Sequence, residues 1–360
     1  MLLGMDEYPF HQVTQTFAAV AGSDPQWNDG HYVCVGDQDG KVALTSNVRL
    51  YQNNDVLDGF VCLRHDDRQY NIRVSRKLRP QMEVLGAGPL RLELIEPMRV
   101  VRLVLEDNGY GISLDLTCYS TSTPYMDPIE ITRLDGRLMS ERATYELAGV
   151  CEGWVSVGGE RIELTRDRTS FFRNHSWGFQ GGRGGPRLYG APTASRRVPG
   201  TRLWVLYNMT DHNGFFFEDP NGRAAAGHGV IMLPDRNVPV AKVEHELVFG
   251  DDPSRVRSGT FQLTDADGVA RSYEFENLGW VYCQGGGYFG GFDDRLGQGV
   301  YRGEYHEEGE VWDVSHGSRI VEATGREFEF AYAWAENFTR LRCGDDVGMA
   351  HFECVVIPRT

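Results

Sequence analysis

The chain has 360 residues, 41% hydrophobic and 24% charged, with a formal net charge of -15. That composition supplies a core and excludes global disorder, and the length exceeds the roughly 250–300 residues at which single cores stop growing, so two domains are expected. The acidic balance argues against nucleic acid or an anionic membrane as a general partner, because phosphate binding needs a basic surface.

The N-terminal stretch "MLLGMDEYPF" lacks the basic segment and long apolar run of a secretory signal. No stretch approaches the ~18 apolar residues of a membrane span. A cytoplasmic location without a membrane span is therefore expected, and a homo-oligomer is left open. Next, "KVALTSNVRLY", "GFVCLRH", "YNIRVSRKL", "LRLELIEP", "RVVRLVLED" and "YGISLDLTCYS" alternate with period two and are separated by turn chemistry such as "DQDGK". They predict successive strands. "SERATYEL" fits either a short helical turn or a strand. "FQGGRGGPRLYGAPTASRRVPG" then places six glycines and three prolines in 22 residues. It interrupts all periodicity and predicts a junction near 180–200, dividing the chain into domains 1–185 and 186–360. Beyond it, "RLWVLYNM", "HGVIML", "KVEHELVFG", "GTFQLTDADG", "RSYEFENLGW" and "REFEFAYAWAENF" resume the alternation. In the last, Phe328, Phe330, Tyr332 and Trp334 share a face. Helical periodicity is scarce, and the predicted class is all-β, as barrels or sandwiches.

The seven cysteines are scattered singly with no C-x-x-C pair, which fits buried free thiols. No G-x-S-x-G, G-x-x-x-x-G-K-[ST] or H-E-x-x-H occurs. "QGGGYFGG" and "GQGVYRG" lack the context of a dinucleotide loop and read as turns. "EHE" at Glu244–Glu246 and "EYHEE" at Glu304–Glu308 read as solvated strand faces rather than ligand clusters. No metal, flavin or nicotinamide cofactor is expected. The glycosylation sequons at Asn174, Asn208 and Asn337 read as chance matches.

The stretch "SFFRNHSWGF", Ser170–Phe179, stands apart. As a strand it puts Phe172, Asn174 and Ser176 on one face and Phe171, Arg173, His175 and Trp177 on the other. Neither face suits solvent, so both should be covered. A packed core strand with a satisfied histidine and a reaction-chamber wall both meet that demand.

"FFRNHSWG" resembles the aromatic-x-Asp-His-x-Trp-Gly signature of the carotenoid 1,2-hydratase (hydroxyneurosporene synthase)/AttH-like proteins. "WNDGHY" at Trp27–Tyr32, "EPMRVVRLVLED", "TYELAGVCEGWVSVGG" and "GQGVYRGEYHEEGEVWDVSHG" are similar to further, more degenerate elements of that family. The resemblance implies two lipocalin-like β-barrel domains in tandem, with a largely apolar cavity in or between them. It also implies cofactor-independent addition or loss of water, double-bond shifts or cyclisation on a hydrophobic terpenoid, polyene or aromatic molecule. This chain departs from the signature at Asn174, where the family has its proposed aspartate proton donor, and at Phe172, where it has tyrosine. An amide orients a substrate oxygen or a water but is no general acid. The catalytic candidates are therefore His175, Asn174, Glu146 and Tyr145, with His175 the nearest group of suitable unperturbed pKa. The candidates for substrate binding are Trp177, Phe172, Arg173, Tyr32 and Trp27. The leading expectation is a lyase or isomerase, and the rival is a non-catalytic carrier of an apolar small molecule.

Overall fold

Side chains that alternate with period two put every other residue on each face of a strand, and the strands Trp27–Asp37, Ala43–Tyr51, Val56–His65, Arg68–Lys77 and Thr169–Gln180 bury most of both faces. The computed structural model describes residues 1–180, 199–220, 228–250, 255–288, 292–316, 319–322, 325, 327–329 and 335–357. The first half forms β1 (Trp27–Asp37), β2 (Ala43–Tyr51), β3 (Val56–His65), β4 (Arg68–Lys77), β5 (Gly86–Ala87), β6 (Leu90–Glu96), β7 (Val100–Leu105), β8 (Ile112–Ser120), β9 (Tyr125–Met126), β10 (Glu130–Leu134), β11 (Arg137–Val157), β12 (Glu160–Leu164) and β13 (Thr169–Gln180). The second half forms β14 (Gly200–Asn208), β15 (Asn213–Glu218), β16 (His228–Met232), β17 (Asn237–Phe249), β18 (Val256–Asp265), β19 (Ala270–Tyr282), β20 (Tyr305–His316), β21 (Arg319–Glu322), β22 (Glu327–Glu329), β23 (Ala335–Cys343) and β24 (Asp346–Ile357). The protein is all-β, as its alternation predicts, and the ambiguous "SERATYEL" lies within the long strand β11.

β14–β19 with β23 and β24 close into an eight-stranded barrel. The remaining strands form one sheet, ordered β22-β21-β20-β4-β3-β2-β1-β13-β11-β8-β7-β6-β5, with β9, β10 and β12 each paired to β11 off that path. This sheet rolls up, so that its far end returns to β4: Arg76 Nε donates to the Gly86 carbonyl at 2.8 Å. β20 comes from the second half of the chain yet pairs with β4 from Tyr305↔Arg76 to Asp313↔Arg68. A division into 1–185 and 186–360 leaves that pairing to cross between the halves. The Gly/Pro run at 181–198 and the residues Phe330, Tyr332 and Trp334 lie outside the described residues.

Alternation produces three large stacked cores, with a smaller fourth cluster of Tyr282, Trp312, Val314, Ile320 and Ala335. Val33, Val48, Val61, Ile72, Leu103, Leu116 and Phe171 fill the inside of the rolled sheet. Leu203, Val205, Tyr207, Phe261, Ala350 and Phe352 fill the closed barrel. The outward neighbours Cys34, Phe60 and Phe172 meet Trp204, Leu206, Phe215 and Phe338 in a third core between the two. Each Val, Leu, Ile or Phe among them contributes about 1.5–3 kcal/mol of burial. The three asparagines of the sequons are tied into these layers, with Asn208 and Asn337 buried and Asn174 part-buried.

The solvated reading of "EYHEE" is corrected at one end. Glu308 is buried and accepts from Arg73 Nε at 2.7 Å, while Arg73 Nη1 reaches Glu310 at 2.8 Å. These contacts pin β20 to β4. Glu244 and Glu246 are exposed, as expected.

Candidate functional site

Ladder register brings one row of side chains to the outer face of the rolled sheet. Glu146 on β11 lies opposite Asn174 on β13, which lies opposite Tyr32 on β1, which lies opposite Asn47 on β2. Residues in register share a face. This row opens on a cavity of about 70 Å³ between the rolled sheet and the barrel, several times the roughly 10–15 Å³ that one water needs. Glu146 is 0% exposed. Its Oε1 accepts from the indole Nε1 of Trp204 on β14 at 3.3 Å.

The barrel supplies the opposite wall. Tyr32 donates its phenol to Glu336 Oε1 at 3.1 Å, and the Cys283 thiol donates to the same oxygen at 3.2 Å. His351 Nε2 stands 2.8 Å from Glu336 Oε2 in an ion-pair contact. Glu336 is 1% exposed and His351 0%. Burial alone raises the Glu336 carboxyl, but the charge and contact of His351, with the Cys283 and Tyr32 hydrogen bonds, hold it below the usual glutamate value. Burial likewise pushes the Tyr32 phenol and the Cys283 thiol well up, so both keep their protons. The His351 ring is boxed by Phe172, Trp204 and Phe338.

The cavity is not the apolar chamber that the family resemblance implies. Its lining carries Asp127, Glu146, Glu336 and Glu353 against Arg49, Arg142 and Arg202. Arg202 pairs with Glu353, and burial pushes its guanidinium down to about 10. Apolar surface comes from Trp204, Phe217 and Tyr288.

The predicted site residues divide between two faces of β13. Asn174, Glu146, Tyr32 and Phe172 face the barrel, and the first three line the cavity. His175, Tyr145, Arg173 and Trp177 point the other way, into the rolled sheet, as Trp27 does by its position two and four residues before Asp29 and His31. His175 Nε2 sits 2.7 Å from Asp29 Oδ1. The structure therefore does not bring His175 and Asn174 to one chamber. The glycine of the signature has its own reason. Gly178 has φ +126°, and a Cβ there would lie 2.2 Å from the Glu141 carbonyl oxygen.

Trp204, Glu336, His351, Cys283, Arg49 and Arg202 were absent from the sequence-derived site. A signal existed for two of them. Trp204 sits in a strand that is apolar on both faces, and Glu336 is an acid inside the apolar run "AYAWAENF". Among the described residues, no three His, Cys, Asp or Glu side chains converge as metal ligands.

A family of unknown function, DUF8625, matches residues 2–360. The chain belongs to DUF8625. A comparison with curated proteins finds no match. Among solved structures, this DUF8625 chain is similar to kievitone hydratase from Nectria haematococca, at 10% identity over 93% of this chain and 92% of that one, with a TM-score of 0.47. It is also similar to CghA with Sch210972, at 9% identity over 92% of this chain and 89% of that one, with a TM-score of 0.49. At such identities the chemistry of the DUF8625 site rests on its own residues.

Proposed function

We propose that the protein is a cofactor-independent lyase or isomerase whose acid–base chemistry takes place in the cavity between the rolled sheet and the barrel. The observation that carries this reading is Glu146, a carboxylate with no solvent exposure that faces the cavity and is held by Trp204. It stands in register with the Asn174 amide. A carboxyl group fixed in this way moves a proton to or from a bound molecule without exchanging it freely with bulk water. The Asn174 side chain makes no hydrogen bond among the described residues, and its amide is placed to hold a substrate oxygen. The Tyr32 phenol, whose proton is given to Glu336, offers an acceptor oxygen beside it. The substrate class that suits these walls is a small molecule with a flat apolar body, against Trp204 and Phe217, and oxygen functions that meet the charged lining. The likeness of "FFRNHSWG" to the carotenoid 1,2-hydratase signature supports the same reaction class. The second reading, a carrier, is favoured by Asn174 where that signature has its acid.

The test incubates the wild type and Glu146→Gln with a small-molecule extract of the producing organism in D₂O, without added nucleotide, and follows all components by mass spectrometry. The wild type is expected to convert at least one component with uptake of deuterium. Glu146→Gln is expected to do so about 10²–10⁴-fold more slowly. A component bound but unchanged by both proteins supports the carrier. Equal conversion by the two proteins overturns the role of Glu146.

A further inference from the structure

The open end of the rolled sheet holds a second constellation, on the face of β13 turned away from Glu146. Arg173 is 2% exposed. Its Nη2 donates to the Tyr145 phenol at 2.9 Å, and its buried Nε has no partner. No carboxylate pairs with it among the described residues. A guanidinium taken out of water without an anion is strongly unfavourable, and such groups are normally paired. His31 is 5% exposed, and its Nδ1 also lacks a partner. Burial first, then the charges of His175, Arg173 and Arg49, hold its imidazole well below the usual range. At neutral pH it is an uncharged hydrogen-bonding group, and Arg173 is the fixed cation.

Three part-exposed rings lead from solvent to this pair. His175 lies tilted against His31 with centroids 4.1 Å apart, and Tyr145 and Trp177 lie 5.2 and 5.3 Å from His175. Asp29 stays at the rim on His175 Nε2.

We infer that these rings wall a throat that binds a small aromatic carboxylate, its carboxylate on Arg173 and His31 and its ring against Tyr145, His175 and Trp177. The planar Nε/Nη2 edge matches a carboxylate, and a single buried positive charge matches a monoanion better than a phosphate dianion. The site lies across β13 from the proposed reaction cavity and does not depend on it.

The test measures binding of 2-naphthoate, benzoate, 2-naphthamide and inorganic phosphate by calorimetry. The naphthoate is expected to bind at least about tenfold more tightly than its neutral amide, since a hydrogen bond to a charged group is worth that much. Arg173→Met keeps the apolar stem and is expected to weaken naphthoate binding about 10- to 100-fold. Trp177→Ala, at a part-exposed position, is expected to weaken naphthoate more than benzoate. If Arg173→Met does not fold, the acid–amide comparison and Trp177→Ala decide. Equal binding of acid and amide, no binding of either, or displacement of naphthoate by phosphate at similar concentration overturns the inference.

Discussion

Replacing His351 by leucine removes the imidazole from Glu336 while filling most of its volume. Both groups are essentially out of solvent, and their heavy atoms stand 2.8 Å apart. Removing one partner of a buried contact of this kind leaves the Glu336 carboxylate less compensated, which costs about 3–5 kcal/mol. Unfolding entropy is roughly 2.1 cal/mol/K per residue, so a 360-residue chain that unfolds in one transition loses about 4–7 °C in Tm. The hydrogen bonds from Tyr32 and Cys283 to the other carboxylate oxygen place the result toward the lower end. Adding Glu336→Gln removes the charge but keeps an acceptor for Tyr32. The double variant is therefore expected to be more stable than His351→Leu alone. The pH dependence has a definite sign. The folded Glu336 carboxyl is held below its ordinary value of 4.5. The stability linked to the lowered Glu336 carboxyl is fully present above that value and is lost as pH falls through the lowered one. Scanning calorimetry from neutral to acidic pH on the three proteins measures all of this. A His351→Leu protein with an unchanged Tm, or a double variant no better than the single, refutes the reasoning.

Asn174→Asp puts a second carboxylate opposite Glu146, which raises the pKa of one of the two. It is expected to destabilise the protein at neutral pH, with the gap to wild type closing as pH falls from about 8 to about 5, because a penalty on the ionised form vanishes on protonation; a gap that widens in acid contradicts this. Gly178→Ala imposes a side chain at φ +126° against the Glu141 carbonyl, so its urea midpoint should fall by the equivalent of at least about 1–3 kcal/mol; an unchanged midpoint contradicts the steric argument. Six of the seven cysteines are buried and Cys343 is part-exposed. A polar thiol reagent should therefore titrate at most one thiol in the native protein and all seven after denaturation, and fast reaction of several native thiols contradicts the packing.

Period two made much of this molecule legible. It sets the all-β class, and it assigns Asn174 and His175 to opposite faces of one strand. What local periodicity does not carry is which faces meet. Glu146 meets Trp204, 58 residues on, and Tyr32 meets Glu336, 304 residues on. Only the stacking of barrel on sheet creates those contacts. The same limit explains β20. "EYHEE" alternates like a solvated strand, and nothing near it in sequence announces that Arg73, 235 residues before Glu308, buries one of its carboxylates. The charged lining escaped for a related reason, since Arg49, Arg142 and Arg202 lie on three different strands and converge only in the assembled cavity.

The most direct measurement is a crystal structure of Glu146→Gln soaked with whichever compound the wild type converts. The compound is expected between the rolled sheet and the barrel, with an oxygen within hydrogen-bond reach of Asn174 and its apolar body against Trp204. Its presence elsewhere with this cavity empty, whether in the throat below Trp177 or on the outer surface, contradicts the assignment of the chemistry to Glu146.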